Sequence, residues 1–412
     1  MKRDYVQGLI IMLIFPIFTS AQILGCTDPL ASNYNVNATA NDGSCVYGSA
    51  SITPIASFNL GTNFIETSGL INWNEKLWTH NDNSDTNIYS LDTLNGNLLQ
   101  AYPLSNVVNI DWEEISHDSN FVYIGDFGNN VNGNRTDLKI LRIAKYSILT
   151  NSPIIDTILF SYSNQVDFSP TGSNNTDYDC EAFIVSNDSI YLFTKQWVSK
   201  KTALYSLPKT PGNYSANWRA TLDIQGLITG ATYLESKRLI SLCGYSNYLQ
   251  PFIYLLYDFE NFNYFIGNKR KLNLSLGFHQ VEGICTADGL KYYISNESFI
   301  QPPIINNPQK LHILDLSSFL SNYFNSLVTP VEDLIVNNIT VFPNPVTDFV
   351  FVNSDRLNLN SKYTISNYLG KIALSGVIDD EKCRINLTDL APGVYMLKIS
   401  GDVEKVYRLV KK

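Results

Sequence analysis

Histidine is scarce in this chain. The four present, His80, His117, His279 and His312, include no pair at metal-ligand spacing, so a soft-metal centre of the zinc kind has no ligand set. No Gly-x-Ser-x-Gly elbow and no Gly-rich loop ending in Lys-Ser/Thr occurs, which removes the commonest signatures of serine hydrolases and nucleotide hydrolases. Charged residues are only 16% of the chain and the net charge is −9, which argues against nucleic acid and anionic membrane as partners. Six cysteines are few for a disulfide scaffold of 412 residues. Long apolar runs are missing after the first twenty residues, so no later segment predicts a membrane span.

What the chain has in quantity is Tyr (25), Phe (21) and Asn, which suits strands joined by many turns. The opening "MKRDYVQGLIIMLIFPIFTSAQ" has Lys2 and Arg3, an apolar stretch from Leu9 to Phe18, and small residues before Gln22. This predicts a secretory signal over residues 1–21 that directs an exported, soluble mature chain.

Residues 22–50 hold almost no core-forming side chains but carry Asp28, Asn33, Asn35, Asn37, Asn41 and Asp42 between Cys26 and Cys45. In an oxidising compartment a Cys26–Cys45 disulfide is expected, closing a loop worth about 3 kcal/mol of chain entropy. The segment resembles the short Cys-Thr-Asp…Asp-Gly-Ser-Cys modules of proteins exported by type IX secretion. Its oxygens either hold a calcium ion or simply cap the turns of a bridged loop. Cys180, Cys243, Cys285 and Cys383 read as small buried apolar residues.

After a break near Pro330, residues 329–412 alternate as short strands separated by Pro-Asn-Pro, Leu-Gly-Lys and Ala-Pro-Gly turns, the pattern of a small antiparallel β-sandwich. Phe342-Pro343-Asn344-Pro345 with Asp348, then Gly370-Lys371, then Leu390-Ala391-Pro392-Gly393-Val394-Tyr395 and a basic terminus resemble the type IX secretion C-terminal sorting domain. That resemblance implies recognition by the type IX secretion machinery and an address at the outer cell surface or in the medium.

Residues 51–328 are a repeat. Five segments open with a three-residue signature: Ser68-Gly69-Leu70, Glu113-Glu114-Ile115, Glu181-Ala182-Phe183, Thr229-Gly230-Ala231 and Glu282-Gly283-Ile284. Nine residues after each middle position stands a core candidate: Trp78, Tyr123, Tyr191, Leu239 and Tyr292. The copies start 45, 68, 48 and 53 residues apart, and strand-only repeats of that length predict the blades of a β-propeller. The fold class is therefore all-β, a five- or six-bladed propeller followed by the sandwich, with the 68-residue interval as the place for a sixth blade.

Alternation puts residues i and i+2 of a strand on one face. If the signatures open the innermost strands, Glu66, Asp111, Glu113, Asp179, Glu181 and Glu282 gather on the propeller axis. Like charges at that range repel by several kcal/mol and raise one another's pKa. Two arrangements relieve this: a hard divalent cation, calcium by its all-oxygen donors, or hydrogen bonds from the backbone of a neighbouring blade.

The motifs "SGL…LWTHND", "DWEEI…GDFGNN" and "DCEAF…K" resemble a family of secreted bacterial propellers with phytase-like relatives. The resemblance implies a fold. It also raises calcium-assisted phosphoester hydrolysis, with Lys195, His80, Arg135 or Arg142 as the anion-holding or basic groups. His80, Asp82, Asp126, Lys195 and Glu297 are the binding candidates at the strand ends. Trp197 and Trp218 are candidates for a glycan-binding face. The competing class is a non-catalytic surface module that binds a glycan, a protein or a phosphoester ligand, with a cation on its axis.

Overall fold

Apolar alternation makes strands of most of the chain between Ile52 and Asp315, and successive strands pair antiparallel into four-stranded sheets. The computed structural model describes residues 22–327, 340–353, 361–367, 370–378, 382–400 and 405–412. The expected signal segment, residues 1–21, lies outside them. The first blade runs through Thr67–Trp73, Lys76–Asn81, Asn87–Leu91 and Leu98–Pro103. The second is Trp112–His117, Phe121–Asp126, Lys139–Ala144 and Ile155–Tyr162. The third is Asp179–Ser186, Ser189–Lys195, Thr202–Pro208 and Gly212–Leu222. The fourth is Leu227–Leu234, Leu239–Tyr245, Pro251–Tyr257 and Asn268–Leu274.

The fifth blade is assembled from both ends of the repeat region. Val281–Thr286, Lys291–Asn296 and Lys310–Asp315 supply three strands, and Ala56–Asn59, which precedes the first blade, pairs antiparallel with the third of them. The five innermost strands then neighbour one another in a closed circle, the fifth against the first. This is a five-bladed β-propeller.

Hydrophobic burial follows the same count. Five apolar clusters fill the five interfaces between blades, and each draws on two neighbours. Trp78, Tyr123, Tyr191, Leu239 and Tyr292, the residues at the fixed nine-position offset, are all buried in them. The sixth blade anticipated in the 68-residue interval does not form. That length goes into two long loops, residues 127–138 and 163–178, which bond to each other through Asn174 N–H to Asn130 O (2.7 Å) and Gln165 Nε2 to Gly133 O (2.8 Å). The outer strands of the second and third blades also pair in parallel, joining those blades into one eight-stranded sheet.

Cys26 and Cys45 form the expected disulfide. Their module packs on the fourth blade: Asp28 accepts hydrogen bonds from Tyr47 (2.8 Å) and Tyr257 (2.6 Å), and Arg270 lies over Tyr47. Asp28 also caps Leu30 N–H, while Asn33, Asn35, Asn41 and Asp42 cap Val46, Asn37, Gly43 and Ser44. Those oxygens cap the turns of the bridged loop. Cys180, Cys243, Cys285 and Cys383 are buried.

The second unit, Val328–Lys412, packs a three-stranded sheet (Thr340–Phe342, Phe349–Asn353, Lys382–Asn386) and a four-stranded one (Ser361–Asn367, Ile372–Ile378, Gly393–Ser400, Lys405–Lys411) around Val350, Ile365, Leu397 and Leu409. It is the expected small antiparallel sandwich. Among the described residues no helix is long and apolar enough to cross a membrane.

Candidate functional site

Every innermost strand breaks its ladder at the same place. Pairing jumps from Thr67–Asn81 to Leu70–Thr79, from Trp112–Asp126 to Glu114–Gly125, from Cys180–Thr194 to Ala182–Phe193, from Ile228–Gly244 to Gly230–Cys243, and from Val281–Asn296 to Gly283–Ser295. The skipped residue is the first signature position each time: Ser68 (with Gly69), Glu113, Glu181, Thr229 and Glu282. A β-bulge leaves a residue unpaired and re-aims its side chain. Here it turns three carboxylates toward the axis. Ser68 and Thr229 use their hydroxyls to bond the next blades, at Glu113 O and Val281 O.

At the end where the inner strands begin lies a pocket of about 210 Å³. Its charged lining is Asp82, Asp111, Glu113, Glu181, Glu282 and Glu297 against one ammonium, Lys195, with Trp197 and Tyr245 as aromatic walls. Lys195 pairs with Glu181 Oε2 and lies 4.7 Å from the Trp197 ring and 5.2 Å from that of Tyr245. Burial disfavours its charge, but Glu181, Tyr245 and Glu282 outweigh this and hold its pKa above the usual lysine range.

The opposite wall is uncompensated. A methyl group built on Gly128 would collide with both Asp111 Oδ2 and Glu113 Oε1, so the glycine keeps open a cradle over which these two carboxylates converge. Among the described residues no hydrogen bond or ion pair from another residue reaches the carboxylate of Asp82, Asp111 or Glu113, although Glu113 is only 6% exposed. Burial, then Glu181 and Asp111, push Glu113 well above the carboxylate range. Burial and Asp179 raise Asp111 to about 6. Burial and Glu297 raise Asp82 to about 7, and burial raises Glu297 to about 7 against the pull of Lys195.

The remaining sequence candidates stand elsewhere. Asp179 is buried behind the pocket wall, accepting from Asn129 N–H (2.6 Å) and Trp197 Nε1 (2.7 Å), so it ties the third blade to the second. Glu66 is exposed on the loop before the first blade and does not line the pocket, though its charge acts on Asp82 and Glu297. His80 is fully buried beside Trp112, where burial lowers its pKa to about 4, and it does not line the pocket. Asp126 is buried in an ion cluster with Arg135 and Lys139 (both 2.9 Å) and lies away from the axis. Arg142 pairs with Asp156. Trp197 and Trp218 share no platform, since Trp218 sits half exposed on the outermost strand of the third blade.

The middle signature position holds Gly69, Ala182, Gly230 and Gly283 in four blades and the large Glu114 in the second. Glu114 Oε1 accepts from its neighbour Ile115 N–H (2.9 Å) and its Oε2 from Ala231 N–H (2.7 Å) in the fourth blade, directly across the ring. Gly69 is small because a side chain there would strike Glu114 and Ile115 N. The blade-linking carboxylate foreseen from sequence is thus Glu114, one residue on, together with Asp179. Beyond this plug, a second cavity of about 280 Å³ opens at the other end of the axis among Ile71, Ser116, Thr232 and Thr286, without carboxylates.

Fold and site together define a five-bladed propeller with an acidic axial pocket, joined to a small sandwich. Residues 340–412 match the family described as "Secretion system C-terminal sorting domain", so the chain carries a type IX secretion tail and is exported to the cell surface or secreted. Among curated proteins, none matches the sequence. The chain is similar to the solved structure of PorZ, an essential bacterial surface component of the type IX secretion system of Porphyromonas gingivalis, at 11% identity and a TM-score of 0.31. That match covers 84% of this chain, which spans 45% of the length of PorZ. The WD40 repeats of RRP9 are similar at 8% identity and a TM-score of 0.30, over 60% of this chain and 67% of that one. Likenesses this distant say nothing of activity.

Proposed function

We propose that this exported protein is a non-catalytic binding module whose axial pocket takes a cationic group. The observation that carries the reading is the lining itself: six carboxyl groups against one ammonium, with Glu113 buried and unpartnered. Burial holds these carboxyls above their usual pKa while the pocket is empty, and a cation entering it would favour their ionised form.

Calcium is the metal that these all-oxygen donors suit in chemical type. Asp111 and Glu113 over Gly128 would supply the first ligands. Among the described residues no three acidic, imidazole or thiol groups already converge as a metal site, so metal binding would have to draw Asp82 or Glu282 inward. Calorimetric titration of the full chain with calcium chloride tests this. Binding that Glu113→Gln abolishes, with a rise in melting temperature, is the expected result. Absence of heat and of any thermal shift removes calcium as the occupant.

Phosphoester hydrolysis asks for cations that are free to hold phosphate. Lys195, Arg135 and Arg142 are each committed to a carboxylate. The pocket's excess of negative charge also repels an anionic substrate. Binding is therefore favoured over turnover.

A further inference from the structure

The pocket opens onto an apolar face. The loops that enter the inner strands and those that leave the second strands all end on its side of the propeller. They expose Val108 (67%), Val166 (91%), Val198 (59%), Tyr248 (86%), Phe278 (49%) and Ile304 (83%). Val108, Val166 and Phe278 precede the second, third and fifth blades, and Val198, Tyr248 and Ile304 follow second strands of the third, fourth and fifth. Single exposed apolar residues are ordinary, but six on the loops at one end of four blades, the end that holds the acidic pocket, mark an interaction surface. Apolar side chains exposed elsewhere on the propeller, such as Leu94, Tyr146 and Phe262, surround no charged pocket.

We propose that this face docks a protein partner through one lysine side chain that enters the axial pocket while its apolar neighbours seat on those loops. The inference rests on the cationic reading above and names the cation as a primary ammonium carried by another chain. Charge complementarity selects the sign: Asp82, Asp111 and Glu113 accept from no other residue's donor. Lys195 supplies the precedent, because its ammonium already sits in this pocket on a carboxylate with Trp197 and Tyr245 alongside. An incoming lysine would use the opposite wall in the same way, with its aliphatic stem passing the rim. Hydrogen bonding to an ammonium needs two or three acceptors rather than a metal's full shell, which suits donors that do not converge. The apolar face extends the site beyond what a free amine could cover, so the ligand is a peptide segment.

The test is calorimetry on the full chain at pH 7.5 with n-butylammonium chloride, the peptide acetyl-Leu-Val-Lys-Val-Leu-amide, the same peptide with acetyllysine, and calcium chloride. The lysine peptide is expected to bind at least tenfold more tightly than butylammonium, and acetylation to remove binding. Glu113→Gln should weaken both ammonium probes at least tenfold, and Val166→Ser with Ile304→Ser only the peptide. Asp82→Asn, nearer the mouth, repeats the charge test should Glu113→Gln fail to melt cooperatively. If butylammonium binds and the peptide binds no better, docking is overturned and the cationic pocket stands. If calcium alone binds, the lysine is overturned and the metal reading gains. If no probe binds, both readings fall. If the chain dimerises by sedimentation and the loop double variant is monomeric, a second copy covers the face and the lysine partner is overturned.

Discussion

Glu114 accepts a hydrogen bond from the backbone N–H of Ala231, 117 positions later in the chain and on a non-adjacent blade. The side chain closes the channel below the acidic pocket and fastens opposite sides of the ring. Burial holds its pKa well above the carboxylate range, with the N–H groups of Ala231 and Ile115 pulling the other way.

Glu114→Ala leaves two buried N–H groups without acceptors. At about 1–3 kcal/mol for each unsatisfied group, the expected loss is about 3 kcal/mol or more in denaturant unfolding. Glu114→Gln keeps one acceptor oxygen and should cost less. Equal stability of the alanine variant and the parent would show that the plug does not hold the ring.

Stability should fall with rising pH in the absence of a cation. Asp82, Glu297 and Asp111, at about 7, 7 and 6 in the folded chain, keep protons that the unfolded chain releases near pH 4. Folding therefore takes up protons between about pH 4 and 7, and the stabilisation is lost as pH rises through that window. Melting in chelator should be lower at pH 8 than at pH 5, and Asp82→Asn should flatten the slope. A melting temperature that climbs steadily from pH 5 to pH 8 contradicts the repelling cluster.

Gly128→Ala pushes a methyl group into the cradle of Asp111 and Glu113. Binding of any cationic probe should weaken at least tenfold by calorimetry. Unchanged affinity would place the binding site elsewhere.

Ser57 lies in the strand that completes the fifth blade, paired with His312 and bonded to its Nδ1 (2.8 Å). Ser57→Ala removes the hydroxyl from His312 Nδ1 and should loosen that seam by about 1 kcal/mol. Hydrogen exchange should show the third strand of the fifth blade losing protection first. Uniform loss over all blades would mean that the seam is not the weak point.

The repeat, the nine-residue offset and the sorting tail are legible in sequence because each recurs as a spacing of residue types. Alternation led to the right neighbourhood for Glu113, Glu181 and Glu282 by the wrong route. Their exposure to the axis comes from a bulge, and a bulge leaves no mark in a polar pattern. Asp126 ends a second strand and Asp82 follows one, so the two look alike in sequence, but Arg135 and Lys139 reach back to neutralise only Asp126. Lys195 was read as a free cation because its partner, Glu181, stands fourteen residues earlier on the neighbouring strand. The 68-residue interval left the blade count open between five and six, since length alone does not distinguish two long loops from four strands.

The strand Ala56–Asn59 is made before any complete blade, and its partner, Lys310–Asp315, after almost all of them. Until synthesis passes Asp315 the growing ring is a crescent with bare edges, a template for pairing with other chains. A nascent chain halted anywhere before that point should recruit chaperones or aggregate. An exported molecule of this design becomes safe to handle only when its last blade meets its first residues.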